Sequence, residues 1–233
     1  MFLAAFLLVT FPLGVQVAAG PAGHWEGKIR IPEHELGMTL DLARTSAGAW
    51  IGSMSILLST STDVPLGDMS VDGSAVRFTA TLPEKTVFEA TLSTDASHVS
   101  GMVSNLEGRV PFDLERKGEA EVKVPPPSTP LPKAFEGRGE GTLESGGKTR
   151  HVSLTLSQAA DGTALGTLVS VEKGLEIPVT TVTITGNELG LECRAVSGTY
   201  RGTLGAGESI AGEWAESDVR LPLTFRRAAV SKK

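Results

Sequence analysis

The chain has 233 residues, of which 40% are hydrophobic, 21% charged and 5% aromatic, a composition that suits one large or two small globular domains and excludes a disordered, collagen-like or multi-span membrane chain. A formal charge of −6 offers no overall basic field for nucleic acid. The single cysteine, Cys193, excludes an intramolecular disulfide and every C-x-x-C zinc or haem pattern.

From Phe2 to Ala19 there is no charged side chain, and Val17-Ala18-Ala19 supplies the small residues that a signal peptidase accepts. Residues 1–19 therefore read as a signal peptide. Pro12 and Gly14 interrupt a run that is already short beside the ~20 residues needed to span a bilayer, so no stable membrane span is expected after cleavage. No cysteine stands near the cleavage point to carry a lipid. The expected product is secreted or periplasmic.

Residues 20–116 then alternate apolar and polar positions in short runs separated by Gly, Asp, Ser and Asn, the pattern of half-buried antiparallel strands. The apolar face passes through Trp25, Gly27 and Ile29, then Met38, Leu40 and Leu42, and then Trp50, Gly52 and Met54. It continues through Val64 to Val71, then Phe78, Phe88, Val99 and Gly101, and ends on Phe112 and Leu114. That makes eight strands. Residues 117–134 hold five of the 13 prolines, in a run from Pro125 to Pro132 that predicts a semi-rigid polyproline spacer. Residues 135–227 repeat the first pattern, and 228–233 form a tail.

The repeat is visible in matched spacings. Trp25-Glu26-Gly27-Lys28 echoes Phe135-Glu136-Gly137-Arg138, Gly48 and Gly52 match Gly162 and Gly166, and Pro65 and Gly73 match Pro178 and Gly186. Gly101, Pro111 and Arg116 match Gly212, Pro222 and Arg227. The apolar phase also slips by one residue between Leu66 and Met69 and again between Val179 and Val182, which demands a bulge or bend at the same place in both copies. Eight strands joined by tight turns avoid open edges by closing, so the fold class is all-β, with two tandem eight-stranded antiparallel up-and-down barrels. Two β-sandwiches are the alternative.

Gly23-His24-Trp25 at the first strand and Arg116 on the last resemble the signature of the calycins, the group of lipocalin- and avidin-like barrels. That resemblance implies a tryptophan closing the barrel base beneath an arginine, with Phe135 and Arg227 repeating the contact. The fuller series of Gly, Trp, Pro and Arg is more similar to tandem Gly-x-Trp-x-Gly β-rich modules found before secreted bacterial α/β-hydrolases. Thr62-Asp63 and Asn105-Leu106 stand where those modules often carry glutamines.

Catalytic and metal motifs read as turns or surface. Gly207 to Gly212 is one residue too long for a nucleophile elbow, and Gly147-Lys148-Thr149 lacks the earlier glycine of a phosphate loop. Glu33-His34-Glu35 cannot face one ion from consecutive positions of an extended chain. The inward positions hold no Asp, Glu, His, Lys or Arg apart from the terminal arginines, so no enzyme activity, metal or cofactor is expected. Cys193 reads as a buried, unreactive core thiol.

Trp50, Phe78, Phe88, Phe112, Tyr200 and Trp214 point inward. They either pack the lumen or line a site for a small apolar ligand. The inward glycines Gly137, Gly139, Gly141, Gly166, Gly202 and Gly212 predict more room in the second barrel. Two functions follow: an exported binding protein for a small apolar molecule, or a scaffold that docks another exported protein such as a hydrolase.

Overall fold

The structure is a computed structural model and describes residues 20–82 and 84–227. The expected signal peptide at 1–19 and the tail at 228–233 lie outside the described residues. In the first sheet, β1 (Gly23–Ile31), β2 (His34–Arg44), β3 (Trp50–Ile56) and β4 (Val64–Pro65) are followed by β5 (Gly67–Asp72) and β6 (Ala75–Thr81). It is completed by β7 (Lys85–Leu92), β8 (His98–Asn105) and β9 (Gly108–Gly118). The second sheet holds β10 (Gly137–Ser145), β11 (Lys148–Gln158), β12 (Ala164–Ser170), β13 (Leu175–Val179) and β14 (Thr181–Thr185). Then come β15 (Glu188–Cys193), β16 (Gly198–Leu204), β17 (Ile210–Glu216) and β18 (Val219–Arg227).

Each sheet is an antiparallel meander whose first strand also pairs with its last, and whose edges are consecutive pieces of chain: β4 and β5 in the first, β13 and β14 in the second. The fold is thus two tandem barrels, each one continuous sheet and not a sandwich. The strand count is corrected from eight to nine, because the fourth expected strand breaks in two where its apolar phase slips. Val64 and Pro65 pair with β3, and the Leu66 amide still donates to the Gly52 carbonyl (3.0 Å). From Gly67 the chain pairs with β6, through a bulge before Ser70 and a left-handed Asp68 (φ 46°). In the second copy the break falls at Thr180, whose amide donates to Glu192 (2.7 Å) across the new seam. A one-residue slip exchanges the faces of a strand, so the chain can keep its apolar side inward on both edges only by bending between them.

The alternation dictates two separate cores. Trp25, Met38, Leu40, Phe78, Phe88 and Leu114 are fully buried in the first, and Leu154, Leu156, Val182, Leu189, Tyr200 and Leu223 in the second. Each such side chain contributes about 1.5–3 kcal/mol of burial relative to exposure.

The proline-rich segment is corrected from spacer to strap. Its Glu121 amide donates to Asp41 Oδ1 (2.7 Å) and its Lys123 amide to Ser53 Oγ (2.9 Å), on the outer wall of the first barrel. Asp41 and Ser53 are outward-phase polar residues, yet both are buried. Further on, the Thr129 amide donates to Val182 (2.9 Å) while its carbonyl accepts from Ala164 (2.8 Å), so the strap fills the gap between β12 and β14. Leu131 and Phe135 enter the second core.

The barrels also meet directly. A short 3-10 turn, Arg194–Val196, faces the loop before β4. The Arg194 guanidinium donates to the carbonyls of Asp63 (3.1 Å) and Lys123 (2.7 Å). Ser61 donates to Ala195 (2.9 Å), and Ser197 donates to Thr60 (2.6 Å).

Candidate functional site

At the base of the first barrel, Trp25 is fully buried and its indole N–H donates to the Pro21 carbonyl (3.0 Å). The Arg116 guanidinium lies over the ring and donates to the carbonyls of Gly20, Ala22 and Ala96. The second barrel closes differently. Its β1–β2 counterpart, β10–β11, turns through Gly146-Gly147 just as the first turns through Pro32-Glu33, which aligns Gly139 with Trp25 in register. Gly139 pairs with Arg227 as Trp25 pairs with Arg116. Phe135 therefore lies four residues before the tryptophan position, in the turn that precedes the strand, and reaches the core from there. Arg227 donates to the carbonyls of Ala134 (3.3 Å) and Glu136 (3.0 Å) on either side of it. The expected stacking of Arg227 on Phe135 is replaced by hydrogen bonds to the flanking backbone.

The six expected lumen residues separate into four groups. Phe78 stacks on Phe88 (4.7 Å) and Phe112 meets Phe88 edge-on (5.6 Å), an interlocked set that fills the middle of the first barrel. Trp50 is only half-buried, at the start of β3, with Arg44 5.6 Å from its ring. Tyr200 is a buried strut: its hydroxyl reaches the carbonyls of Ile210 (2.9 Å) and Leu223 (3.2 Å), and burial raises its pKa. Trp214 alone of the six borders an interior pocket.

That pocket occupies one end of the second barrel and has a volume of about 120 Å³. Leu143, Val152, Leu168, Ile177, Trp214 and Leu223 supply apolar walls from β10, β11, β12, β13, β17 and β18. Arg150 and Lys173 stand at its mouth together with Glu216, which accepts from the Trp214 indole N–H (3.4 Å). The expected extra space beside the inward glycines is not where the pocket lies. Tyr200 closes over Gly202, the Trp214 ring over Gly198, and Val179 approaches the Cβ direction of Gly166 to 2.9 Å. Sequence alternation places Val152, Ile177, Trp214 and Leu223 on the inward face, but it does not show Leu143 and Leu168 joining them or Arg150 of β11 and Lys173 of the β12–β13 turn converging on one mouth.

On the outside of the same wall, a groove of about 550 Å³ runs over β18, β10 and β11. His151 lies in it, held by Glu172 through a side-chain contact of 2.6 Å and by its own amide. Cys193 is fully buried and burial, helped by Glu192, pushes its thiol up to about 12, which leaves it unreactive. Among the described residues no three His, Cys, Asp or Glu side chains gather as a metal site, and no helix is long and apolar enough to cross a membrane.

No protein-family model and no curated protein matches the chain. Two solved structures are similar at low identity. A candidate outer membrane protein from Bacteroides fragilis is 10% identical, with 89% of this chain and 98% of that one covered and a TM-score of 0.27. A protein of unknown function in the DUF3598 family, from Nostoc punctiforme, is 14% identical over 89% of this chain and 96% of its own, with a TM-score of 0.25.

Proposed function

We propose that this chain is an exported, non-catalytic binding protein whose second barrel takes a small apolar group attached to an acid. The observation that carries the reading is the Trp214 pocket: an apolar interior under a mouth with two cations against one carboxylate. Its size sets the ligand class. A dry apolar cavity of about 150 Å³ holds a single benzene ring, whereas drug-sized ligands need roughly 300–1,000 Å³. The size class is a single aryl ring or short alkyl chain bearing a carboxylate, and a long-chain lipid is too large. Export rests on the uncharged run before Gly20 and its small-residue boundary.

The test is quenching of tryptophan fluorescence by 4-iodobenzoate. Saturable quenching is expected in the native protein, with loss of the saturable component in Trp214→Phe and weaker binding in Arg150→Ala and Lys173→Ala. Quenching that is unchanged by Trp214→Phe sinks the reading.

A second reading, a scaffold for another exported protein, is favoured by one feature. Leu57, Leu58 and Leu106 are exposed at loop tips, and Leu58 is held in a left-handed conformation (φ 62°) that a bulky residue seldom adopts. Leu58→Asp should abolish capture of such a partner and leave iodobenzoate quenching intact.

A further inference from the structure

We infer that the seam between β10 and β18 is a yielding wall that parts to let a ring pass from the charged mouth into the Trp214 pocket; this rests on the binding reading above. The two barrels share one plan, so the first serves as the reference. There the first and last strands are zipped: Gly27 pairs with Leu114, Lys28 with Asp113, and Ile29 with Phe112. The matching positions in the second barrel are Gly141, Thr142 and Leu143 against Phe225, Thr224 and Leu223. None of these pairs forms, and the β10–β18 ladder stops after Gly139–Arg227 and Glu140–Arg226.

The spacing agrees with the ladder. A Cβ built on Gly27 would collide with the Asp113 carbonyl oxygen, whereas one built on Gly141 would stand 3.0 Å from the equivalent oxygen of Thr224. The wall is therefore looser at this stretch, and the backbone groups facing across it are free to part without breaking ladder hydrogen bonds.

The loose stretch also lies between the two cavities. Leu143 and Leu223 line the pocket from inside, Thr142 and Thr224 line the groove from outside, and Val152 belongs to both. On its other side β18 stays paired with β17 from Val219 to Phe225, so separation at this seam moves one strand edge and leaves the rest of the barrel closed. The pocket, at about 120 Å³, is smaller than the ~150 Å³ cavity that holds a benzene ring, so a ring entering by the mouth needs this wall to give.

The experiment joins the seam. In Thr142→Cys/Thr224→Cys, a short thiol-to-thiol cross-linker ties β10 to β18, and Cys193 is too buried to react. Stopped-flow quenching by 4-iodobenzoate should then slow by about tenfold or more relative to the reduced variant, as expected when a required opening is blocked. The same link at Lys28→Cys/Asp113→Cys, across the zipped seam of the first barrel, should change nothing. An equal rate with and without the cross-link overturns the yielding wall while leaving the pocket reading intact; absence of saturable quenching in the native protein overturns both. Hydrogen exchange gives a ligand-free check. The amides of Thr142 and Thr224, which alternation turns toward the seam, should exchange much faster than those of Lys28 and Asp113 at the same places in the first barrel, and equal protection overturns the yielding wall.

Discussion

The Arg116 guanidinium carbon sits 4.2 Å from the centre of the Trp25 ring, so the last strand of the first barrel is locked to its first by a cation over an aromatic face. The ring fills the barrel base, and the arginine also binds three carbonyls around the entering chain. Trp25→Ala should cost about 3–5 kcal/mol, as for other buried aromatic truncations. A double-mutant cycle with Arg116→Ala, read by urea unfolding, should show a coupling of roughly 0.5–2 kcal/mol. The parallel cycle of Phe135→Leu with Arg227→Ala should show little, since Arg227 grips backbone carbonyls. Strict additivity at Trp25 and Arg116 would show that their stacking carries no energy.

That contrast marks how far the fold is legible in the chain. Alternation with a period of two is a local property, so the strands, their inward faces and the phase slips at Leu66–Met69 and Val179–Val182 are all readable. The pairing of Trp25 with Phe135 is misleading because similar residues were matched by kind. Register is set by turns, and the two-residue turns at Pro32-Glu33 and Gly146-Gly147 align Gly139 with Trp25. The strap has no alternation, and its partners Asp41, Ser53 and Thr181 are polar residues on outward phases that look solvated until another segment covers them. The pocket mouth and the loose seam depend on contacts between distant strands, which periodicity does not encode.

His24 makes the first barrel pH-sensitive. Burial works to lower its pKa, but hydrogen bonds to Asp41 (2.9 Å) and Glu26 (3.2 Å), with the charges of both carboxylates, raise it overall above 6.5. A histidine with a raised folded pKa binds its proton more tightly in the native state. Its stabilising contribution is complete below the unfolded value near 6.5 and is lost as pH rises through the higher folded value. Unfolding midpoints from pH 5 to pH 9 should therefore fall across that window, and His24→Gln should flatten this part of the profile. A native curve that rises there would contradict the assignment.

Tyr200 should matter through its hydroxyl more than through its ring contacts alone. Tyr200→Phe keeps the edge-on packing against Phe225 (5.1 Å) but leaves the carbonyls of Ile210 and Leu223 without this buried donor. The expected cost is about 1–3 kcal/mol in the second barrel. Thermal unfolding followed at Trp214 would reveal it, and an unchanged midpoint would mean that the hydroxyl is not holding β16 to its neighbours.

Arg194 is the latch between the barrels. One guanidinium nitrogen bonds both Asp63, in the first barrel, and Lys123, in the strap, while Nε is steadied by Glu192 (2.9 Å). Hydrogen bonds from a charged donor contribute roughly 1.5–3 kcal/mol each when partly buried. Neither core contains this side chain, so Arg194→Ala should leave the unfolding of each barrel nearly unchanged and act on their mutual orientation. In the native protein, amides of both barrels should fit a single rotational diffusion tensor by nitrogen-15 relaxation. In Arg194→Ala the two sets should need separate tensors with shorter correlation times, because the direct contacts that remain, Ser61–Ala195, Ser197–Thr60 and the Thr62 amide to the carbonyl of residue 194, are single neutral hydrogen bonds. If the variant still tumbles as one body, the strap holds the barrels without the latch. Deleting its side-chain acceptors on the first barrel through Asp41→Ala and Ser53→Ala would then be the change that frees them.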